Sequence, residues 1–244
     1  MEKRKARILI LSLALIALLI AGTVVIKRVH EKKIYVQNRN TLRTLQIFSR
    51  DDNCTEQYVN RYQALRFVMR TAGLRNSTVE IFDNVKFAVP PILDVDKPGV
   101  RHGYICSGYF SNVIFGKDSG KNTFEPLETA TVKNCAVFIS RCLGNFSADE
   151  DELWEFAKSK EIIRESDRFY DAPNTELTPE IFCLLLVRML DCDRYLYFAV
   201  ANLDYIMDIN DSIRFDVEGS ITYREYAEVL NHKRRNRFSK SGSR

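Results

Sequence analysis

The chain has 244 residues, 45% of them hydrophobic and 28% charged, enough apolar material for a packed core, and this excludes wholesale disorder. Ten glycines and six prolines exclude collagen-like and low-complexity architectures. The net charge of +4 is uneven: residues 1–33 carry eight Lys/Arg against two Glu, residues 231–244 carry six Lys/Arg and no acid, and the body between them is acidic.

The first element is an uncharged run, residues 8–26, opening on Ile8 and closing on Ile26. As a helix rising ~1.5 Å per residue it reaches about 28 Å, close to the ~30 Å hydrocarbon thickness of a bilayer. The alternative is a cleaved secretory signal, which the basic start (Lys3, Arg4, Lys5, Arg7) favours. The length of the run and the lack of an Ala-x-Ala site before Lys27 favour an uncleaved anchor instead. Bases flank both ends equally, so the positive-inside rule is nearly silent. The very short N-terminal flank sets the expected arrangement: residues 1–7 cytoplasmic, 8–26 spanning, 27–51 a juxtamembrane linker or helix. The rest is then extracytoplasmic, on a single-pass protein of the cell membrane.

Beyond the anchor the chain repeats itself. Gly73 and Gly144 read as helix-ending glycines, and Asn60 and Thr131 stand thirteen residues before them as helix caps. Thr178 and Thr222 are two further caps. Counted from each cap, position +5 holds Leu65, Ala136, Cys183 and Ala227, and position +8 holds Val68, Ile139, Leu186 and Leu230. Position +12 holds Ala72, Leu143 and Leu190, which completes one apolar stripe at helical period. On the opposite face, position +10 holds Arg70, Arg141 and Arg188. Shorter aromatic-rich elements lie between the caps: Tyr104 to Phe115, Trp154 to Ile163, and Tyr195 to Ile206. Residues 77–101 lengthen the first interval with a short strand and a Pro90-Pro91 loop. No unit this small buries its own stripe, so the units are expected to pack on one another.

Phe215-Asp-Val-Glu-Gly219-Ser-Ile221-Thr222-Tyr223-Arg224-Glu225 resembles the Phe-x-Pro-x-Gly-x-Ile-Thr-Arg-Ala-Glu pattern of the S-layer homology (SLH) module. The stretches from Phe124 to Gly144, from Asn60 to Leu74 and from Thr178 to Leu190 resemble it at the same spacing. The resemblance implies a mainly α fold, a pseudo-threefold helical repeat domain with short strand and loop insertions. It places that domain over residues 52–232, with repeats near 52–118, 122–167 and 169–213 and a closing half-repeat at 215–232. It also implies noncovalent attachment to anionic cell-wall polysaccharide of bacteria. In the family the Arg after the capping Thr binds the acidic sugar; here that position reads Arg61, Val132, Pro179 and Tyr223, so the module is degenerate.

The expected ligand-binding residues are Arg61, Gln63, Gly116, Thr131, Thr222 and Glu225. Arg61 sits where orphan N–H groups and the helix dipole favour an anion, although such a side chain also snorkels over its own helix. Glu225 stands at N3 from Thr222, the spacing of a capping box.

Other signals are weaker. Residues 214–225 mimic half of a calcium loop, but Arg214 stands where a carboxylate is needed. Four Asn-x-Ser/Thr sequons occur, and chance explains them in a bacterial chain. Six cysteines fit no metal spacing; Cys135 and Cys183 fall in apolar helical patterns, as buried thiols do. Three isolated histidines and the absence of nucleophile-elbow or phosphate-loop motifs argue against an enzyme. No catalytic residue, metal, cofactor or nucleic-acid partner is expected. Residues 233–244 form a basic tail. The expected function is that of a non-enzymatic, membrane-anchored cell-surface module holding wall polysaccharide or an envelope protein. The alternative is a scaffold of an envelope complex that has lost sugar binding.

Overall fold

The computed structural model describes residues 2–49, 57–74, 100–115, 123–193 and 222–228, with backbone alone described at 2–18, 20, 24, 100 and 101. Seven helical segments lie within them: α1 Glu2–Thr44, α2 Arg61–Thr71, α3 Val100–Phe110, α4 Val132–Cys142, α5 Glu150–Ser159, α6 Pro179–Leu190 and α7, residues 223–228. The described residues hold isolated bridges but no strand, so the chain is mainly α. Residues 77–99 of the expected strand and loop lie outside the described residues, as do the element from Tyr195 to Ile206, Gly116, Leu230 and the tail 233–244. So do Cys54 and residues 214–221 of the calcium-loop likeness.

α1 carries residues 8–26 as unbroken helix. Among the described residues no helix is long and apolar enough to cross a membrane; most side chains of that run lie outside the described set. The helix runs on to Thr44, and Leu42, Leu45, Ile47 and Phe48 are buried in the core. The folded body therefore begins in the last turns of α1, ahead of residue 52.

The four caps form. Asn60 and Thr131 each accept the N3 backbone N–H, and Gln63 and Asn134 return the bond as capping boxes. Thr178 accepts from the Ile181 N–H with Pro179 at N1, and Thr222 and Glu225 close a third box. Gly73 and Gly144 end α2 and α4 at φ of +102 and +95, backbone that glycine adopts without a Cβ clash. The stripe is the core: Leu65, Ala136, Cys183, Val68, Ile139, Leu186 and Leu190 are fully buried. Among the described cysteines, Cys106, Cys135, Cys142 and Cys183 are buried.

The residue before each of the first three caps joins a closed ring. The Val59 N–H donates to the Leu177 carbonyl at 2.8 Å, Leu177 to Ala130 at 2.8 Å, and Ala130 back to Val59 at 2.9 Å. All three are buried. The ring brings the N-termini of α2, α4 and α6 together, and these helices pack pairwise along their stripes as a parallel bundle.

The short helices share one ending. Gln46, Asn112 and Glu161 each take left-handed backbone, at φ of 58, 56 and 56. The two following N–H groups then return to one carbonyl: Ile47 and Phe48 to Leu42, Val113 and Ile114 to Gly108, Ile162 and Ile163 to Ala157. Each turn thereby drives an apolar pair into the core. α1's end packs on α6, α3 on α2 and α5 on α4, so the three occupy equivalent places around the bundle.

α7 covers the far end of the bundle. The Tyr223 hydroxyl donates to the Cys142 carbonyl at 2.6 Å, and Arg224 pairs with Asp191 at the end of α6. The Tyr226 ring lies against Gly73, at the end of α2.

Candidate functional site

The described members of the expected ligand-binding set fall in two places, and Gly116 lies outside the described residues. Arg61, Gln63 and Thr131 stand at the ring, where three helix N-termini converge. Thr222 and Glu225 stand at the opposite end, on the segment that closes the bundle.

At the ring, the groups expected to attract an anion are used by the fold. Arg61 and Tyr62, the first two residues of α2, donate their N–H groups to the Glu128 and Pro126 carbonyls. Val132 and Lys133 of α4 donate to Thr175 and Pro173 in the same way. The third N–H of each helix goes to its cap. A helix N-terminus attracts anions through orphan N–H groups, and in α2 and α4 those groups have partners from the next unit. α6 departs from the pattern because Pro179 carries no N–H.

The Arg61 side chain crosses to the second unit instead of lying along its own helix. Its Nε donates to the Phe124 carbonyl at 2.8 Å, and the guanidinium stands 5.2 Å from the Phe124 ring centroid. Gln63 and Thr131 spend their side chains on the capping boxes. The ring face also holds the Tyr58 hydroxyl, whose contact with Glu176 raises its pKa above the ordinary phenol value.

At the far end, the Thr222 N–H and hydroxyl both reach Glu225 Oε2, at 2.8 and 2.9 Å. Those bonds favour the ionised form, so the Glu225 carboxyl titrates below its ordinary value. Arg224, beside it, lines a groove of about 530 Å³ with Lys33, Asn40 and Glu228, open along one face of α1.

The +10 arginines form a third set. Each turns back onto the preceding unit, where it donates to a carbonyl of the left-handed turn. Arg70 donates to Gln46 O at 2.9 Å, Arg141 to Val113 O at 3.2 Å and Arg188 to Ile162 O at 2.8 Å. The repeat spacing marks these residues, but only the fold reveals that they tie each long helix to the turn that ends the short helix before it.

Asp149 caps α5 with its acidic first turn exposed, and Trp154 is buried. Burial raises the Cys135 and Cys142 thiols far above their ordinary values, which makes them poor nucleophiles. Among the described residues no cluster of three His, Cys, Asp or Glu is arranged to hold a metal ion. No protein-family model matches the chain, and no curated protein matches it either.

Proposed function

We propose that this chain is a non-enzymatic, membrane-anchored, SLH-like module of the bacterial cell surface. It acts as a scaffold for an envelope protein partner and has lost the sugar-binding role of the family it resembles. The carrying observation is the fate of Arg61, the one arginine at the family's sugar-binding position. It donates to a backbone carbonyl and stacks on Phe124, tying two units of the same chain together. The matching positions in the other units hold Val132, Pro179 and Tyr223, none of which supplies charge. The ring through Val59, Ala130 and Leu177 supports the threefold arrangement. The uncharged run at 8–26 supports the anchor.

The test is co-sedimentation of the full chain, reconstituted in vesicles, with purified anionic wall polymer at low and high salt. Binding no greater than that of empty vesicles is expected, for wild type and Arg61→Ala alike. Polymer binding that salt weakens and Arg61→Ala abolishes would restore the polysaccharide reading and overturn this one.

A further inference from the structure

One side of α1 is uncovered. Past the uncharged run, Tyr35, Asn38, Arg39, Leu42 and Leu45 are buried or half-buried, whereas Val29, Lys33, Val36 and Asn40 are exposed. Ile26 is 70% exposed, Val29 64% and Val36 47%. Ile26, Val29, Lys33, Val36 and Asn40 recur at intervals of three, four, three and four, the seam of two helices wound together. Gly22 continues the row into the uncharged run, and nothing lies within 4 Å of where a Cβ would stand, so a second helix can approach closely there. At the other end Lys33, Val36, Gln37 and Asn40 border the groove of about 530 Å³ that Arg224 and Glu228 of α7 also line. The exposed row therefore runs into a concave seat.

Charge and reach decide the occupant. Residues 27–43 carry Lys27, Arg28, Lys32, Lys33, Arg39 and Arg43 against Glu31 alone, a surplus of positive charge along the whole row. A second copy lying parallel would set that surplus against itself and stack Lys33 on Lys33. The basic tail 233–244, six Lys/Arg and no acid, is repelled in the same way. The bilayer falls short: its headgroup layer is ~5–8 Å deep on each side. Val36 stands ten residues past Ile26, ~14 Å out even at a tilt of ~20°.

We infer that this row of α1 and its groove seat an acidic amphipathic helix, the continuation of a single-pass anchor in the partner protein. Its apolar seam covers Val29 and Val36, a carboxylate meets Lys33, and an amide meets Asn40; polar residues at such seam positions fix register. The inference rests on the scaffold reading above and names the face by which the partner is held.

The experiment puts the photo-cross-linking residue benzoylphenylalanine at Val36 in the full chain, in cells of its own host. The control position is Glu155, exposed on α5. The expected cross-link forms from position 36 and not from 155, and its peptide lies in a net-acidic helical segment just outside an apolar span of another protein. Lys33→Glu sets like charges face to face and should lower the yield roughly tenfold. Circular dichroism should not change, because Lys33 is exposed. A cross-link to a second copy, to lipid, to the chain's own tail or to a segment without net negative charge overturns the inference, as does no cross-link or an unchanged yield in Lys33→Glu. An acidic partner captured from position 155 and not from 36 also overturns it and leaves the scaffold reading standing. Polymer binding in the co-sedimentation test overturns the scaffold reading instead, whatever position 36 captures.

Discussion

Two residues test how tightly α7 is fitted to the bundle. Gly73 has φ of +102, and a Cβ built there falls 2.4 Å from Cε1 of Tyr226. Gly73→Ala therefore incurs a left-handed backbone term of about 1 kcal/mol and must also displace a buried ring. We expect a loss of roughly 2–3 kcal/mol in chemical unfolding, within the usual range for overpacking. In a Tyr226→Leu background the same change should cost only the backbone term; an equal loss in both backgrounds would show that the ring is not the obstacle. Glu225 gives the pH-dependent counterpart. Its pKa is depressed in the folded chain by the Thr222 bonds, so its stabilisation is whole above the ordinary glutamate pKa of about 4.3 and lost as pH falls through the lower folded value. The stability gap between wild type and Glu225→Gln should narrow on acidification. A gap that stays constant from neutral pH to well below the ordinary value would remove the cap from the account.

At the scale of elements, the ring makes an unusual demand on helix starts. In α2 and α4 the first N–H donates across to the next unit, whereas α6 begins with Pro179 and makes no such bond. Thr131 has φ of −94 and ψ of 164, an extended conformation that a following proline accepts. Val132→Pro thus leaves the helix start in shape and removes the bond to the Thr175 carbonyl. The expected cost is about 0.5–1.5 kcal/mol for a hydrogen bond lost at a part-buried carbonyl, read as a lower urea midpoint, and Pro179→Ala should cost clearly less. Equal effects at the two positions would mean that the inter-unit bond carries no energy. These helices were legible in the sequence because cap, apolar stripe and closing glycine are local signals with fixed spacing. The turns at Gln46, Asn112 and Glu161 were not. Gln46 and Glu161 have no preference for left-handed backbone, and Asn112, a residue type that adopts it readily, had no helix-ending glycine or proline beside it to mark the turn; packing of the apolar pair behind each one imposes the conformation. For the same reason Arg61 read as a ligand-binding residue. Its position on α2 follows from sequence spacing, but its partner, the Phe124 carbonyl, lies sixty-three residues away and is brought to it only by the ring.

At the scale of the whole molecule, the end of α1 is part of the repeat architecture. The uncharged run hides this from a sequence reader, because that run and the buried end lie on one continuous helix. α1 continues for eighteen residues past residue 26, about 27 Å, before its end enters the core. There Phe48 meets Phe67 of α2 edge-on at 4.6 Å and Phe182 of α6 at 6.4 Å, so one ring joins three helices. Leu42, Leu45, Ile47 and Phe48 are each at most 5% exposed. Burying such side chains is worth about 1.5–3 kcal/mol apiece, and four together equal the ~5–15 kcal/mol that holds a typical domain folded. Two truncations separate the stalk from the body. A chain beginning at residue 34 keeps all four side chains and should unfold cooperatively at nearly the full-length midpoint. A chain beginning at residue 50 loses the end of α1 and its left-handed turn, and should show helical circular dichroism without a cooperative transition. If the shorter chain unfolds as sharply and as late as the longer one, α1 is a tether lying on the body, and the first unit must find its partner helix elsewhere.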